Sequence, residues 1–188
     1  MCKSGFMHAV RELISRIDAS IPPEFDGEIR ATCVGGVATH VHTSYRVSDD
    51  CDVIFDHRLI VPQNLVVAYT DEDGAKHALA FDTNYASEIS LVHPDATCDA
   101  VHLEKVGRIA VSALNPTDLA VTKIGRWTDV DLDDVTELAK QGLLDADAVT
   151  DRANEALGYY IGDRKKIEFN LRDALEIIRE CKPGPKSD

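Results

Sequence analysis

The sequence predicts an α+β fold: a mixed or antiparallel sheet with helices on it, followed by a C-terminal helical region. Three observations carry this. Short β-rich runs, broken by Gly and Asp turns, fill the stretch from residue 29 to 114. Helical spacing of apolar residues takes over from residue 115. A separate helical pattern opens the chain, with Phe6, Val10, Leu13, Ile14 and Ile17 on one face.

The elements follow in order. The first helix runs over 6–18 and is stopped by Ile21-Pro22-Pro23, since a residue before proline is pushed out of the helical region. IRATCV, residues 29–34, reads as a short buried strand broken at Gly35-Gly36. VATHVHTSYR then reads as a helix, and DCDVIF, residues 50–55, as a second strand. LVVAYT and AKHALAF flank the turn DEDG and form the clearest hairpin. RIAVSAL, residues 108–114, reads as another strand. Asn115-Pro116-Thr117 starts the helical part, with proline suited to a first turn. Helical patterns follow through DLAVTKIGRW, DLDDVTELAKQGLL, DADAVTDRANEALGYYI and RKKIEFNLRDALEIIREC, with Asp145 placed to cap one of them. The expected division is 1–114 as an α/β core, 115–181 as a helical region completing the site, and 182–188 as a tail.

The chain has 188 residues, 44% of them apolar, which suffices for one ordinary domain core. No apolar run approaches the roughly 20 residues of a membrane span, and no signal segment is seen, so a cytoplasmic protein without membrane contact is expected. Cys2, Cys33, Cys51, Cys98 and Cys181 lack the spacing of a zinc site and read as reduced thiols. The formal charge of −13 argues against a broad nucleic-acid footprint but leaves local contact with an RNA end or a nucleotide open.

Several residues suggest chemistry. A Gly-Gly turn at a strand end lets backbone approach a ligand, and a following helix offers its amides to phosphate; the same pair also makes a plain tight turn. Asp50 and Asp52 lie two apart on a predicted strand, so both carboxylates share a face. Mg²⁺ favours one or two carboxylates completed by phosphate oxygens. Taken alone, the pair reads rather as an exposed acidic strand edge.

In combination, Gly35-Gly36 followed by one helix and then Asp50-Cys51-Asp52-Val53 resembles the nucleotidyltransferase superfamily pattern hG[GS]…Dh[DE]h. Arg46-Val-Ser48-Asp-Asp50-Cys-Asp52 is similar to the R-x-[ST]-x-D-x-D form of AbiE-type toxins and their relatives. Lys123-Ile-Gly-Arg126 and Asp131-Leu-Asp-Asp134 stand where that subgroup carries a later Lys, Arg and acidic helix. The resemblance covers roughly residues 30–140 and implies a nucleotidyltransferase-type mixed sheet. It also implies Mg²⁺-dependent transfer of a nucleoside monophosphate from a nucleoside triphosphate to a hydroxyl. In the toxin branch the acceptor is tRNA and the partner an antitoxin protein. A nucleotide-binding or protein-interaction module without catalysis is the alternative on the same fold.

The resemblance assigns Asp50, Asp52 and a third carboxylate to metal and catalysis. Asp82, at the end of the hairpin, is the first choice for the third, and Glu88 the alternative. Gly35, Gly36, Arg46, Ser48 and Arg126 are the candidate nucleotide contacts. Lys123 would neutralise triphosphate charge, or else be a solvated helix lysine. Asp131 and Asp134 share a helix face and can orient Lys123, bind metal or cap a helix. Arg46 is as readily a structural partner of an aspartate. No histidine has zinc-motif spacing, and Trp127 reads as core.

Overall fold

A computed structural model of the chain describes residues 5–71, 73–83 and 91–181. Helix α1 (Gly5–Ser20) buries Phe6, Ala9, Val10, Leu13, Ile14 and Ile17, the stripe its spacing predicts. Each of these side chains larger than alanine contributes about 1.5–3 kcal/mol on burial, well above helix propensity differences of a few tenths, so packing against the sheets fixes this helix. The chain then turns into β1 (Ile29–Cys33) through a loop gripped by Arg108, whose guanidinium donates to Asp18, Pro22 and Ile21 oxygens.

Helix α2 (Gly35–Thr43) starts on the glycines themselves rather than after them, and ends before Ser44 in a left-handed residue. The predicted strand 50–55 is two strands. β2 (Asp50–Cys51) pairs parallel with the later strand 76–81, and β3 (Val53–Phe55) pairs antiparallel with β1, so Asp52 sits at the crossover between two sheets. The face-sharing argument for Asp50 and Asp52 is thereby corrected: Asp50 is exposed and Asp52 half-buried because the strand changes sheet between them.

The hairpin forms as predicted, with β4 (Val66–Thr70) antiparallel to β5 (Lys76–Phe81). β6 (Val101–Val106) is a strand the sequence did not announce; it is antiparallel to β7 (Ile109–Ala113) with a bulge between His102 and Glu104. Among the described residues the strands form one sheet of order β3-β1-β7-β6, with β1 and β7 parallel, and a second of order β2-β5-β4. The α+β class is therefore correct, and the sheet is mixed.

Four helices complete the chain: α3 (Pro116–Arg126), α4 (Asp129–Lys140), α5 (Ala146–Leu157) and α6 (Arg164–Glu180). Each start has a side-chain cap, from Asn115, Thr128, Asp145 and Asp163 respectively. Trp127, in the left-handed region, ends α3 and lets α4 fold back at once. α5 stops at Leu157, short of the expected Ile161. One buried apolar cluster contains side chains from α1, both sheets and the four C-terminal helices. No helix of the described residues is long and apolar enough to cross a membrane. Residues 182–188, expected as a tail, and Glu88 lie outside the described residues.

A buried ion pair locks α5 onto α3. Asp118 is 1% exposed and accepts from Arg152 Nε at 2.7 Å and Nη2 at 2.9 Å, while Asn115 Nδ2 donates to it as well. Arg152→Ala leaves the Asp118 carboxylate buried without its cation, an imbalance that costs about 3–5 kcal/mol. Urea denaturation of the variant is expected to show an unfolding free energy lowered by that amount. A change under about 0.5 kcal/mol, the usual scatter of surface substitutions, would remove the pair from the account of stability.

Candidate functional site

The ends of two parallel strands bring the first carboxylates together. In the β2–β5 register Cys51 faces Phe81, so the next residue on each strand, Asp52 and Asp82, emerges side by side. The Asp82 amide donates to Cys51 oxygen at 3.1 Å and fixes this end of the ladder. Opposite them lies the start of α2. Val34, its N-cap residue, supplies no side-chain cap, and its amide donates to Asp52 oxygen at 3.0 Å. Gly35 has φ of 55°, and a Cβ there would lie 2.3 Å from Asp52 Oδ2. Only glycine accepts both that backbone and that approach. A Cβ on Gly36 would lie 2.6 Å from Ser48 Oγ, so the second glycine makes room for the loop before β2.

The other wall comes from α3 and α4. Lys123 is 3% exposed, with Nζ 2.5 Å from Asp134 Oδ2 and 3.5 Å from Asp131 Oδ1. Arg46 reaches across from the loop before β2, and its Nε and Nη2 donate to the two Asp134 oxygens at 2.7 Å each. Arg126 makes the matching two-pronged contact with Asp131, at 2.8 and 2.7 Å. Asp131 also accepts from the Thr128 amide and hydroxyl, so one carboxylate closes the capping box of α4 and holds two cations.

A cleft of about 120 Å³ opens between these walls, lined by Gly35, Asp52, Asp82, Thr122, Lys123, Arg126 and Asp131. Six of the expected site residues thus share one cavity. Asp50, Gly36, Arg46 and Ser48 do not line it. Arg46 is held by Asp134 and Val47 oxygen, and Ser48 Oγ accepts from the Asp50 amide at 3.4 Å.

Residues 12–182 match a family model described as nucleotidyltransferase of unknown function (DUF6036). The chain belongs to this nucleotidyltransferase family. No curated protein matches it.

The electrostatics of this nucleotidyltransferase cleft are polarised. Burial, followed by the charges of Asp82 and Asp50, pushes the Asp52 carboxyl up to about 6, against the opposing pull of Arg126 and Lys123. Burial would raise Asp131 too, but hydrogen bonds from Arg126 and Thr128 and the charge of Lys123 bring it down to about 2. Asp134 is likewise lowered: its burial is outweighed by Arg46 and Lys123. The Asp52 carboxyl at the strand end is held up by burial and its acidic neighbours, whereas the carboxylates on α4 are held down by cations.

That contrast bears on a metal. Among the described residues no three His, Cys, Asp or Glu side chains converge to hold an ion by themselves. Asp52 and Asp82 nonetheless offer hard oxygen donors under mutual repulsion, which suits a cation that takes one or two carboxylates and completes its shell with phosphate and water.

Thr122 lines the cleft and was not anticipated. Its hydroxyl donates to Leu119 oxygen, as helix threonines commonly do, so its sequence context carried no signal beyond adjacency to Lys123.

The raised Asp52 makes stability depend on pH with a definite sign. Its folded value of about 6 lies above the ordinary aspartate value of 3.8, so the folded state holds this proton more tightly. The contribution is fully present below about pH 4 and is lost as pH rises through about 6. Asp52→Asn, in chelator-containing buffer, is expected to gain about 1–2 kcal/mol over wild type at pH 7–8, discounted for partial exposure, and nothing at pH 4. Denaturation midpoints across pH 4–8 test this; a gain of equal size at both ends would rule out titration of Asp52 as its source.

Proposed function

We propose that the chain transfers a nucleoside monophosphate from a nucleoside triphosphate to a hydroxyl acceptor, with Mg²⁺. The observation that carries this is the polarised cleft: Asp52 and Asp82 on one side, Lys123 and Arg126 on the other, with the glycine start of α2 between. A triphosphate brings charge that needs cations, and a divalent ion relieves the acids. Asp52 and Asp82, with Asp50 adding charge beside them, are the residues that would hold Mg²⁺. The ion would supply Lewis-acid stabilisation of phosphoryl oxygens.

The roles of the chain's own groups follow from their positions. The amides of Gly35 and Gly36 begin a helix without a side-chain cap and are suited to phosphate oxygens. Arg126, whose side chain is 65% exposed, is free to extend toward a phosphate while its partner Asp131 stays with Thr128 and Lys123. Lys123 is held in place by two carboxylates and adds positive potential at the cleft wall. Arg46 acts on the same wall through Asp134. In this reading the acceptor is an RNA such as tRNA, and the protein is the cytoplasmic toxin of a pair with an antitoxin partner.

One observation favours a second reading, a nucleotide-binding module without turnover. Lys123 is saturated by Asp131 and Asp134 and nearly inaccessible. Calorimetry with ATP or CTP and Mg²⁺ separates the two, because binding without product supports the module.

Incubation with α-labelled nucleoside triphosphates, Mg²⁺ and total tRNA is expected to label the RNA with at least one nucleotide. Asp52→Ala and Asp82→Ala are each expected to lower the rate on the order of a hundredfold or more, the scale of losing a group that stabilises transition-state charge. Equal, absent labelling by wild type and Asp52→Ala with all four nucleotides would sink the catalytic reading.

A further inference from the structure

We propose that Thr122 accepts a hydrogen bond from a ribose hydroxyl of the nucleotide, so that the cleft selects ribonucleotides. The proposal rests on the transfer reading for what occupies the cleft, and adds the residue that recognises the sugar.

The groups lining the cleft sort by hydrogen-bonding capacity. Lys123, Arg126 and the Gly35 amide only donate, while ionised Asp52, Asp82 and Asp131 only accept. Thr122 carries the one uncharged polar side chain among the described lining residues. A free hydroxyl both donates and accepts, but this one has already used its proton: Oγ1 donates to Leu119 oxygen at 2.7 Å. A carbonyl has no proton to give, so chemistry fixes the direction of that bond. Thr122, half-buried at the cleft wall, has only lone pairs left.

Lone pairs need a donor opposite them. The phosphate oxygens of a triphosphate offer none at neutral pH, and suit Lys123, Arg126 and the glycine amides instead. The carboxylates have other partners. Asp131 accepts from Arg126 and Thr128 and lies 3.5 Å from Lys123 Nζ. Asp52 and Asp82 are the residues that would hold Mg²⁺. A neutral donor entering the cleft therefore finds its acceptor in Thr122. A nucleotide carries such donors on its sugar and, in some bases, on an exocyclic amine.

Position favours the sugar. Thr122 and Arg126 are four residues apart on α3, so they share a face one turn from each other. Four residues rise about 6 Å. With a phosphate against Arg126, the group one turn away is the ribose, which follows the α-phosphate directly; the base lies beyond it.

Calorimetry of the full chain with Mg²⁺ and no acceptor RNA tests this. The probes are the four ribonucleoside triphosphates and their 2′-deoxy and 3′-deoxy forms. Wild type is expected to bind a ribonucleotide about fivefold more tightly than one of its deoxy forms, the scale of one neutral hydrogen bond. Which form loses affinity names the hydroxyl. Thr122→Val keeps the shape and removes the acceptor; it is expected to lose that factor on the ribonucleotide and nothing on the weaker deoxy form. Thr122→Ser keeps the hydroxyl and is expected to keep the discrimination. Unchanged thermal midpoints would show that the variants fold, and the wild-type comparison needs no variant at all. Equal affinity of wild type for ribose and both deoxy forms overturns the proposal and leaves the transfer reading standing. A loss in Thr122→Ser but not in Thr122→Val overturns it too, because the methyl would then be the contact. Wild type that binds no nucleotide overturns both readings. Discrimination by a chain that labels nothing would support Thr122 while removing turnover.

Discussion

The buried Lys123 ammonium is the constraint around which the cleft is built. A lone ammonium at 3% exposure would be costly to hold in the fold. Asp131 and Asp134 make it tolerable, but two carboxylates around one cation overcompensate it. Arg126 and Arg46 then become necessary, each bound to one of the acids by two hydrogen bonds. Three cations and two carboxylates leave one positive charge on the wall of the cleft that Asp52 and Asp82 also line.

The same network joins parts of the chain far apart in sequence. Arg46 belongs to the loop before β2 and Asp134 to α4, 88 residues later. The loop that delivers Asp50 and Asp52 is thereby held to the helix layer that carries Lys123. Such a network is weak evidence for net stability, because desolvation offsets most of its attraction. Its consequence is positional: the carboxylates of the strand ends and the cations of α3 cannot separate without breaking a buried pair. His40 adds to this from α2, its Nδ1 lying 2.9 Å from Arg46 oxygen.

The local signals in the sequence were those that local physics determines. Gly35 was legible only because the glycine pair is followed by one helix and the Asp50-Cys51-Asp52 run, and the α1 stripe because helical spacing is explicit. Asp82 was legible as the residue ending a clear hairpin. What could not be read was decided by distant partners. DCDVIF is continuous as a β pattern, yet Asp50-Cys51 finds β5 and Val53 onward finds β1, and nothing within six residues encodes that division. β6 was missed because His102, Glu104 and Lys105 make it polar, and its bulge breaks the alternation that would have marked it. Arg46 and Ser48 fit a nucleotide-contact motif by type, but the fold turns Arg46 toward Asp134.

The split of that strand explains why the acids differ. A continuous strand would place Asp50 and Asp52 on one face with similar exposure and similar charge. The change of sheet instead leaves Asp50 in solvent and draws Asp52 inward, beside Asp82 and under Gly35. Burial then acts on Asp52, and the two neighbouring carboxylates act on it through a medium that screens them less than water. One carboxyl of the pair is tuned by a topological event rather than by its sequence neighbours. The glycine belongs to the same event: with any Cβ at residue 35, Asp52 could not approach the start of α2, and the acidic and amide sides of the cleft would be held apart.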